Sequence, residues 1–306
     1  MKEITIEKFC KDLKLKLVCD GGQQNIYVSN SSINRPGLQL YGFYEHFDSD
    51  RVQIVGKVEI SYLNHMTPEE RKASVEKLFQ YTFPCLIMAW DIEVDDVYYD
   101  LAKKYNKIIL KSEKHTSKVI NMVINYLDEY LAPTVSLHGV LVEVFGVGAL
   151  ITGSSGVGKS ETALELVKRG HRLISDDVVE IKRVGDVLTG RAPDLLRQYM
   201  EIRGIGIIDI RTLYGIGAVK ESVEIDMNIN LEKWEPGKYY DRLGLDEIYL
   251  NILGAEIPEV VIPVTTGRNL AIIIEAAAKN NRLKFMGINS AQEFCDRILL
   301  SNEQKG

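Results

Sequence analysis

Hydrophobic and polar positions follow two different patterns along this chain, and the pattern changes near residue 131. Before that point, short β-branched or apolar runs alternate with longer stretches of helical period, which is typical of a small parallel α/β unit. The strongest local signal is Thr67-Pro68-Glu69-Glu70, a capping box with proline at the first helical position, which opens a helix. The pattern predicts helices over 4–17, 67–81, 94–105 and 116–130, strands over 51–63, 85–90 and 107–110, and a loop over 20–37.

The sequence Ala132-Pro133-Thr134 breaks the last of these helices, and the following residues have a different texture. Two apolar β-like runs, HGVLVEV and ALIT, are joined by the turn signal FGVG. We therefore predict two domains, an N-terminal α/β domain over residues 1–130 and a second domain over residues 131–306.

Composition narrows the class of protein without indicating its chemistry. The chain has 306 residues, of which 45% are hydrophobic, and its 37 basic and 43 acidic residues give a net charge of -6. That balance argues against a broad basic surface for nucleic acid, and no apolar run is long enough to span a bilayer. The N-terminus lacks the apolar core of a signal peptide, so we expect a cytoplasmic protein without membrane or nucleic-acid partners.

The four cysteines are scattered along the sequence, without a CxxC pair or a histidine at metal-ligand spacing. In a reducing compartment, small buried hydrophobic side chains are the expected interpretation. They are Cys10, Cys19, Cys85 and Cys295.

One motif carries specific chemistry: GSSGVGKS fits G-x-x-x-x-G-K-[ST], follows a β-branched run and precedes a helical stretch that ends at Gly170. Glycines let successive backbone N–H groups point at phosphate oxygens, and the start of the helix adds partial positive charge. In this motif Lys159 reaches the β- and γ-phosphates, and the Ser160 hydroxyl is a Mg²⁺ ligand. The predicted phosphate-binding residues are Gly153, Ser154, Ser155, Gly156, Val157, Gly158, Lys159 and Ser160.

Two adjacent acids, Asp176 and Asp177, follow the short predicted strand over 172–175. Acidic groups at a strand end beside a phosphate loop can hold a metal ion or accept a proton, whereas a solvated acidic turn is the plainer alternative. Adjacent side chains of a strand point to opposite faces, so we expect these two carboxylates to have different roles.

The run EIRGIGIID places charged residues and glycines within a strand-like apolar stretch. Buried charges are costly unless they are paired or bound to metal, so a buried ion pair and a wall around Mg²⁺ and phosphate are the two interpretations. A period of two would bring Glu201, Arg203 and Asp209 to one side of the strand. The candidate residues are Glu201, Arg203, Gly204, Gly206 and Asp209.

Isolated polar residues are weaker candidates. His138 lies before the glycine motif among apolar residues, where a structural histidine is the more frequent finding, and Arg242 could be an ordinary surface arginine. In Gly267-Arg268-Asn269, Asn269 could be the N-cap of a helix over 270–279. The stretch over 290–301 is amphipathic and could be a packed terminal helix or a partner contact, with a stripe of Phe294, Ile298 and Leu299.

Three blocks together resemble a known family. GSSGVGKSETALELVKRGHRLISDD, MEIRGIGIIDI and PVTTGRNLAIIIEAAA are similar to the bifunctional HPr kinase/phosphorylase of bacteria, over residues 137–287. Over residues 1–130 the resemblance lies in layout and length. It implies a small N-terminal α/β domain and a C-terminal P-loop nucleotide-binding kinase domain like that of phosphoenolpyruvate carboxykinase.

The resemblance also implies a reaction. Members of this family phosphorylate a serine of HPr, the phosphocarrier protein of the sugar phosphotransferase system, with Mg²⁺ and with ATP or pyrophosphate. They reverse the reaction by phosphorolysis, in which inorganic phosphate gives pyrophosphate, and they regulate carbon catabolite repression as allosteric homo-oligomers, namely hexamers.

Site residues are implied position by position. Ser160 and Glu201 match the Mg²⁺ contacts, and Asp177 matches the group that takes the serine proton in one direction and returns it in the other. Residues 201–210 match a segment used in both reactions, and residues 264–269 match one tied to dephosphorylation. The other active-site residues implied are His138, Lys159 and Arg242.

This sequence departs from the family pattern at one place. Thr265-Thr266 stands before Gly267-Arg268-Asn269, where the family usually has a basic residue. Loss of a cation there would weaken the capture of inorganic phosphate, so the departure bears on the phosphorolysis reaction more than on the kinase reaction.

Two other classes of function fit the nucleotide motif. A small-molecule enzyme, such as a protein like phosphoenolpyruvate carboxykinase or a metabolite kinase, would have an enclosed substrate pocket and would need no protein acceptor. A nucleotide-dependent switch would hydrolyse the nucleotide and change conformation without transferring a group.

Overall fold

The computed structural model describes residues 2–241, 244–265 and 267–303. The chain divides into two compact units, Met1–Ala132 and Pro133–Gly306, and both contain helices and strands. Within the described residues, we find no helix with the length and apolar character that crossing a bilayer would require.

The N-terminal unit is built on a five-stranded sheet. Its strand order is β2-β7-β6-β5-β4, in which β4 to β7 are mutually parallel and β2 is antiparallel at the edge. Strands β1 and β3 form a separate antiparallel pair. Helices α1 and α6 pack on one face of the sheet, and α2 to α5 pack on the other. The elements are β1 (Lys2–Thr5), α1 (Ile6–Leu13), β2 (Lys16–Cys19), β3 (Asn25–Val28), β4 (Ile33–Asn34), α2 (Gly37–Tyr41), β5 (Val52–Val55), α3 (Lys57–Asn64), α4 (Pro68–Phe79), β6 (Leu86–Met88), α5 (Asp96–Lys104), β7 (Ile109–Lys111) and α6 (Thr116–Leu131).

The capping box predicted at Thr67 is present. The Glu70 N–H donates to Thr67 Oγ1 at 3.3 Å, and the Thr67 N–H donates to Glu70 Oε2 at 2.9 Å. These bonds satisfy two backbone donors that have no partner inside the helix, and α4 begins at Pro68 as the sequence predicts.

Three predictions in this unit are wrong, the first two because local caps override the longer pattern and the third because strand pairing does. The predicted helix over 4–17 is β1, α1 and β2, since the Thr5 side chain caps a helix that Lys14 ends with φ 54°. The predicted strand over 51–63 ends at Val55, and α3 begins at Lys57. The Glu59 side chain accepts the Gly56 N–H, which caps this helix although its sequence contains β-branched residues. The predicted loop over 20–37 contains β3 and β4.

The C-terminal unit has three layers. Its six-stranded sheet has the order β11-β9-β10-β17-β19-β18, and an antiparallel sheet of order β16-β13-β12-β8 covers one of its faces. Helices α7 and α9 cover the other face. The elements are β8 (Thr134–His138), β9 (Val140–Val144), β10 (Val147–Gly153), α7 (Lys159–Lys168), β11 (Arg172–Ser175), β12 (Val178–Val184), β13 (Val187–Arg191), β14 (Tyr199–Ile202), β15 (Gly206–Asp209), α8 (Ile210–Tyr214), β16 (Ser222–Glu224), β17 (Met227–Lys233), β18 (Ile248–Ile252), β19 (Ala255–Val264), α9 (Leu270–Phe285) and α10 (Ser290–Glu303), with short 3-10 helices at Asp194–Leu196 and Ile216–Ala218.

Alternating side chains of β9 show why this sheet is covered on both faces. Val140 and Val142 belong to the core beneath the helices, whereas Leu141 belongs to the core beneath the second sheet. Strands β10, β17 and β19 run parallel, so their carboxyl ends share one edge. Because α7 follows β10 and α9 follows β19, both helices begin at that edge.

The terminal amphipathic stretch is helical, as predicted, but two residues of its apolar stripe are exposed. In α10 the side chains of Phe294 and Ile298 are 57% and 45% exposed. The interpretation as a packed terminal helix is therefore wrong for these two residues, and the Leu299 side chain lies outside the described part of the chain.

Gly148 allows the two sheets of the C-terminal unit to meet. A Cβ added at Gly148 would lie 1.8 Å from the Glu224 carbonyl oxygen, so Gly148→Ala must displace backbone. We expect the substitution to lower the free energy of unfolding by about 2–3 kcal/mol, measured by denaturant titration with circular dichroism. Gly217→Ala is the matched control, because Gly217 has no atom within 4 Å of an added Cβ. Equal losses in the two variants would contradict this account of the close contact.

Candidate active site

A glycine-rich loop, residues 153–158, joins the end of β10 to the start of α7. Gly153 has φ +136°, and a Cβ added there would lie 2.2 Å from the Leu231 carbonyl oxygen, so only glycine fits. Gly158 has φ +99° and caps α7 without a side chain. The predicted strand before the loop and the predicted helix after it are both present.

The Lys159 side chain folds back over the start of this loop. Its ammonium group donates to the carbonyl oxygens of Gly153 at 2.9 Å and Ser154 at 3.1 Å. Because no side chain caps the start of α7, the first-turn N–H groups have no capping acceptor. An ammonium group beside a helix N-terminus gives the loop affinity for an anion.

Ser160 and Asp176 connect the loop to a buried carboxylate. The Ser160 hydroxyl donates to Asp176 Oδ1 at 2.8 Å, and the backbone N–H of Glu201 donates to Asp176 Oδ2 at 3.1 Å. The Asp176 residue is only 4% exposed, and this burial raises the pKa of its carboxyl. Three separate parts of the unit, α7, the end of β11 and β14, therefore meet at one side chain.

Asp177 points in a different direction from its neighbour. Its carboxylate is exposed, and Asp177 Oδ1 lies 3.6 Å from Nδ1 of His138, which is also exposed. The backbone has φ +69° at Asp177, and the Asp177 carbonyl oxygen accepts the Gly139 N–H at 2.9 Å. The expected difference in direction between the two acids is confirmed, although they lie in the turn between β11 and β12.

The run over 201–209 is a hairpin, so the continuous strand that we predicted is wrong. Strands β14 and β15 pair antiparallel, and Gly204 and Gly206, with φ +86° and +98°, allow the chain to reverse. Glu201 and Arg203 are exposed, which excludes the buried ion pair. Instead, Arg203 Nη2 donates to Ser155 Oγ at 3.3 Å and lies against the glycine-rich loop.

Asp209 has a capping contact in the structure. Its carboxylate accepts the Thr212 N–H at 3.0 Å and the Thr212 hydroxyl at 2.8 Å, at the start of α8. These hydrogen bonds lower the pKa of the Asp209 carboxyl. The side chain therefore holds the end of the hairpin to the short helix that follows it.

The segment before α9 is partly described. Asn269 accepts the Ile272 N–H at 3.2 Å, so its predicted role as the N-cap of α9 is confirmed. Gly267 has φ +83°, and Arg268 Nη1 donates to the Pro263 carbonyl oxygen at 2.9 Å. Two residues of our sequence analysis, Arg242 and Thr266, lie outside the described residues.

A pocket of about 360 Å³ lies beside the two aspartates. Asp176, Asp177 and Glu201 form its polar wall. The rest of the lining is apolar, and apolar residues carry no local signal that predicts which of them line a pocket. These lining residues are Leu195, Leu196, Tyr199, Met200 and Ile207.

The oxygen atoms around Ser160 suit a small hard cation. Hydroxyl and carboxylate oxygens are the ligands that Mg²⁺ prefers, and Mg²⁺ is usually held by one or two protein groups together with substrate phosphates. Among residues 2–241, 244–265 and 267–303, no group of three or more His, Cys, Asp or Glu side chains could hold a metal by itself. Ser160 and the nearby acids therefore fit a site that phosphate oxygens complete.

Comparison with known proteins places both units in one family. The model described as "HPr Serine kinase N terminus" matches residues 4–127, and the model described as "HPr Serine kinase C-terminal domain" matches residues 129–298. An HPr kinase/phosphorylase from Alkaliphilus metalliredigens is 50% identical over 306 residues, covering 100% of this chain and 99% of that protein. A second, from Caldanaerobacter subterraneus subsp. tengcongensis, is 49% identical, covering 98% of each chain.

A solved structure also matches. The Hpr(Ser) kinase/phosphatase from Coxiella burnetii is 38% identical, and the match covers 52% of this chain and 98% of that one with a TM-score of 0.47. With two family models that together span nearly the whole sequence and relatives at half identity over its full length, this chain belongs to the HPr kinase/phosphorylase family and is a phosphotransferase of the kinase/phosphorylase type.

Proposed function

We propose that this enzyme phosphorylates a serine of the phosphocarrier protein HPr with ATP or pyrophosphate, and reverses the reaction by phosphorolysis. The observation that carries the proposal is the pair of adjacent aspartates beside the glycine-rich loop. Asp176 is buried against Ser160, whereas Asp177 is exposed where an acceptor from outside can reach it. The names of the relatives support HPr as that acceptor.

The phosphoryl donor binds at the glycine-rich loop and the start of α7, which would make the C-terminal unit a P-loop kinase domain. The loop offers backbone N–H groups and the Lys159 ammonium to the phosphates, and Arg203, 3.3 Å from Ser155, adds a second cation at the same place. Phosphoryl transfer depends on positioning and on neutralising charge, and these groups provide both.

Ser160 and Glu201 would hold Mg²⁺, and Asp176 would fix the direction of the Ser160 hydroxyl. When bound, Mg²⁺ neutralises charge on the transferring phosphate. The Ser160 hydroxyl already has a defined direction through its 2.8 Å bond to Asp176, and the Glu201 backbone is held by the other oxygen of the same carboxylate.

Asp177 is the proton acceptor for the serine hydroxyl. In the kinase direction the serine oxygen forms a bond to the terminal phosphorus of the donor, the bond to the leaving phosphate oxygen breaks, and Asp177 takes the hydroxyl proton. In phosphorolysis an oxygen of inorganic phosphate bonds to the phosphoserine phosphorus, pyrophosphate forms, and Asp177 returns the proton to the leaving serine oxygen. His138 Nδ1 lies 3.6 Å from Asp177 Oδ1, so the imidazole stands beside the group that exchanges the proton.

A protein acceptor suits the surface around the pocket better than a small metabolite does. Leu195, Ile205 and Ile207 are 90%, 71% and 75% exposed, and a group of exposed apolar side chains is typical of an interaction site. An enclosed metabolite pocket would instead bury such residues. This surface favours the kinase reaction on a protein over the metabolite kinase and the nucleotide switch.

Other parts of the proposal rest on the sequence resemblance. Arg242 joins the active-site residues, and residues 264–269 serve dephosphorylation, with phosphorolysis weakened by Thr265-Thr266. The enzyme works in the cytoplasm as a hexamer, responds to allosteric effectors and regulates carbon catabolite repression. From the charge balance and the short apolar runs, we further propose that neither nucleic acid nor a membrane is a partner.

Incubation of the enzyme with labelled ATP, Mg²⁺ and purified HPr tests the acceptor. We expect label on an HPr serine, and pyrophosphate when inorganic phosphate is added to phosphoserine-HPr. HPr with its acceptor serine changed to alanine is the control. Hydrolysis of ATP without label on HPr would instead support a nucleotide switch or a different acceptor.

Replacing the loop lysine tests the phosphate site. Lys159→Ala removes the ammonium at the mouth of the loop, so we expect phosphorylation of HPr to fall by about 100-fold or more. Lys168→Ala is the matched control, because Lys168 is an exposed lysine at the other end of α7. Wild-type nucleotide binding and turnover in Lys159→Ala would contradict the proposed phosphate site.

Replacing Asp177 tests the proton acceptor. Asp177→Asn keeps the shape of the side chain but cannot take the proton, so kcat should fall by about 100- to 10,000-fold in both directions. Asp186→Asn, which neutralises another exposed acid of the same unit, should retain activity. Near-normal kinase turnover in Asp177→Asn would show that another group is the base.

A further inference from the structure

The hairpin of β14 and β15, residues 199–209, carries two residues of the proposed site and is connected both to the glycine-rich loop and to the first turn of α7. Arg203 contacts Ser155, and the Glu201 N–H contacts Asp176, which in turn accepts the Ser160 hydroxyl. The second connection uses a side chain that is almost completely buried.

The register of the hairpin shows why the Glu201 N–H is available to Asp176. Ile210 N donates to the Gln198 carbonyl oxygen at 2.9 Å, and Glu201 lies opposite Ile207. Directly opposed residues of an antiparallel pair alternate between hydrogen-bonded and non-hydrogen-bonded positions, so Glu201 and Ile207 form a non-hydrogen-bonded pair. The Glu201 N–H therefore points away from β15, and Asp176 Oδ2 receives it at 3.1 Å.

Asp176 thus supplies the acceptor that a carbonyl oxygen of a neighbouring strand would otherwise supply to the Glu201 N–H. Hydrogen bonds to a charged acceptor are stronger than those between neutral groups, and a buried location protects them from water. Oδ1 of Asp176 accepts from Ser160 in α7, and Oδ2 accepts from Glu201 in the hairpin.

We propose that Asp176 is a positioning residue that couples Ser160 to the hairpin, so that one carboxylate sets the places of the Ser160 hydroxyl and of Glu201 together. If Ser160 moves, the Asp176 carboxylate that accepts the Glu201 N–H shifts as well. If the hairpin is released, the same carboxylate is free to move away from Ser160. The coupling follows from these contacts, whereas its consequence for phosphoryl transfer rests on the function proposed above.

Hydrogen exchange in the ligand-free enzyme tests the coupling directly. Asp176→Asn removes the negative charge and replaces one of the two acceptor oxygens by an NH2 group, which weakens the hydrogen bond from the Glu201 N–H. We therefore expect the Glu201 amide to exchange roughly 10- to 100-fold faster than in the wild-type protein. Asp177→Asn is the matched control, since it neutralises the adjacent carboxylate, for which no contact to the hairpin is described. Unchanged exchange at Glu201 in Asp176→Asn would overturn the proposal.

A second pair of variants keeps the test valid if Asp176→Asn does not fold. Glu201→Ala and Glu201→Pro both lose the side chain, but only the proline variant loses the N–H. We expect faster exchange at the Met200 and Ile208 amides in Glu201→Pro than in Glu201→Ala. In enzyme assays, kcat should fall further in the proline variant while KM for ATP stays equal in the two.

These outcomes separate the coupling from the proposed function. Exchange requires neither HPr nor nucleotide, so a failure to label HPr would remove the proposed substrate and leave the coupling measurable. Equal exchange and equal kcat in Glu201→Ala and Glu201→Pro would show that the hairpin is held without the Asp176 bond, whatever the substrate is.

Discussion

The close approach of Gly153 to the Leu231 carbonyl oxygen determines where the glycine-rich loop leaves the sheet. A side chain there would push β10 away from β17, and the parallel pairing of these strands sets the direction in which α7 starts. Once α7 begins at Lys159, Ser160 is brought to Asp176, and Asp176 in turn fixes β14. The contacts of Ser160 and Asp176 therefore depend on a close backbone approach that only glycine allows.

Two adjacent aspartates show how backbone geometry gives identical side chains different environments. Asp176 is enclosed by α7 and β14, and burial raises the pKa of its carboxyl, whereas Asp177 faces solvent beside His138. The first is suited to holding other groups in place and the second to exchanging a proton with a visiting molecule. The two residues are of the same type, and they differ in environment because the turn between β11 and β12 directs one side chain inward and the other outward.

The sequence was informative at several places where structure depends on a few neighbouring residues. The glycine motif, the caps at Thr67 and Asn269 and the two aspartates were all predicted, because each has a short pattern with a local physical cause. The hairpin over 201–209 was not, since its apolar residues resemble a buried strand and only the fold leaves Ile207 exposed. The apolar lining from Leu195 to Tyr199 was also missed, because an apolar residue that lines a pocket has no sequence pattern to distinguish it from one in the core.

The left-handed backbone at Asp177 restricts which residues evolution can place there. With φ +69°, this position suits glycine best and tolerates asparagine and aspartate better than longer or branched side chains. Glutamate has the same charge but lacks the short side chain that makes this conformation accessible. Of the two acidic amino acids, the backbone thus selects the shorter, so the reach of the carboxylate into the site is fixed by the main chain.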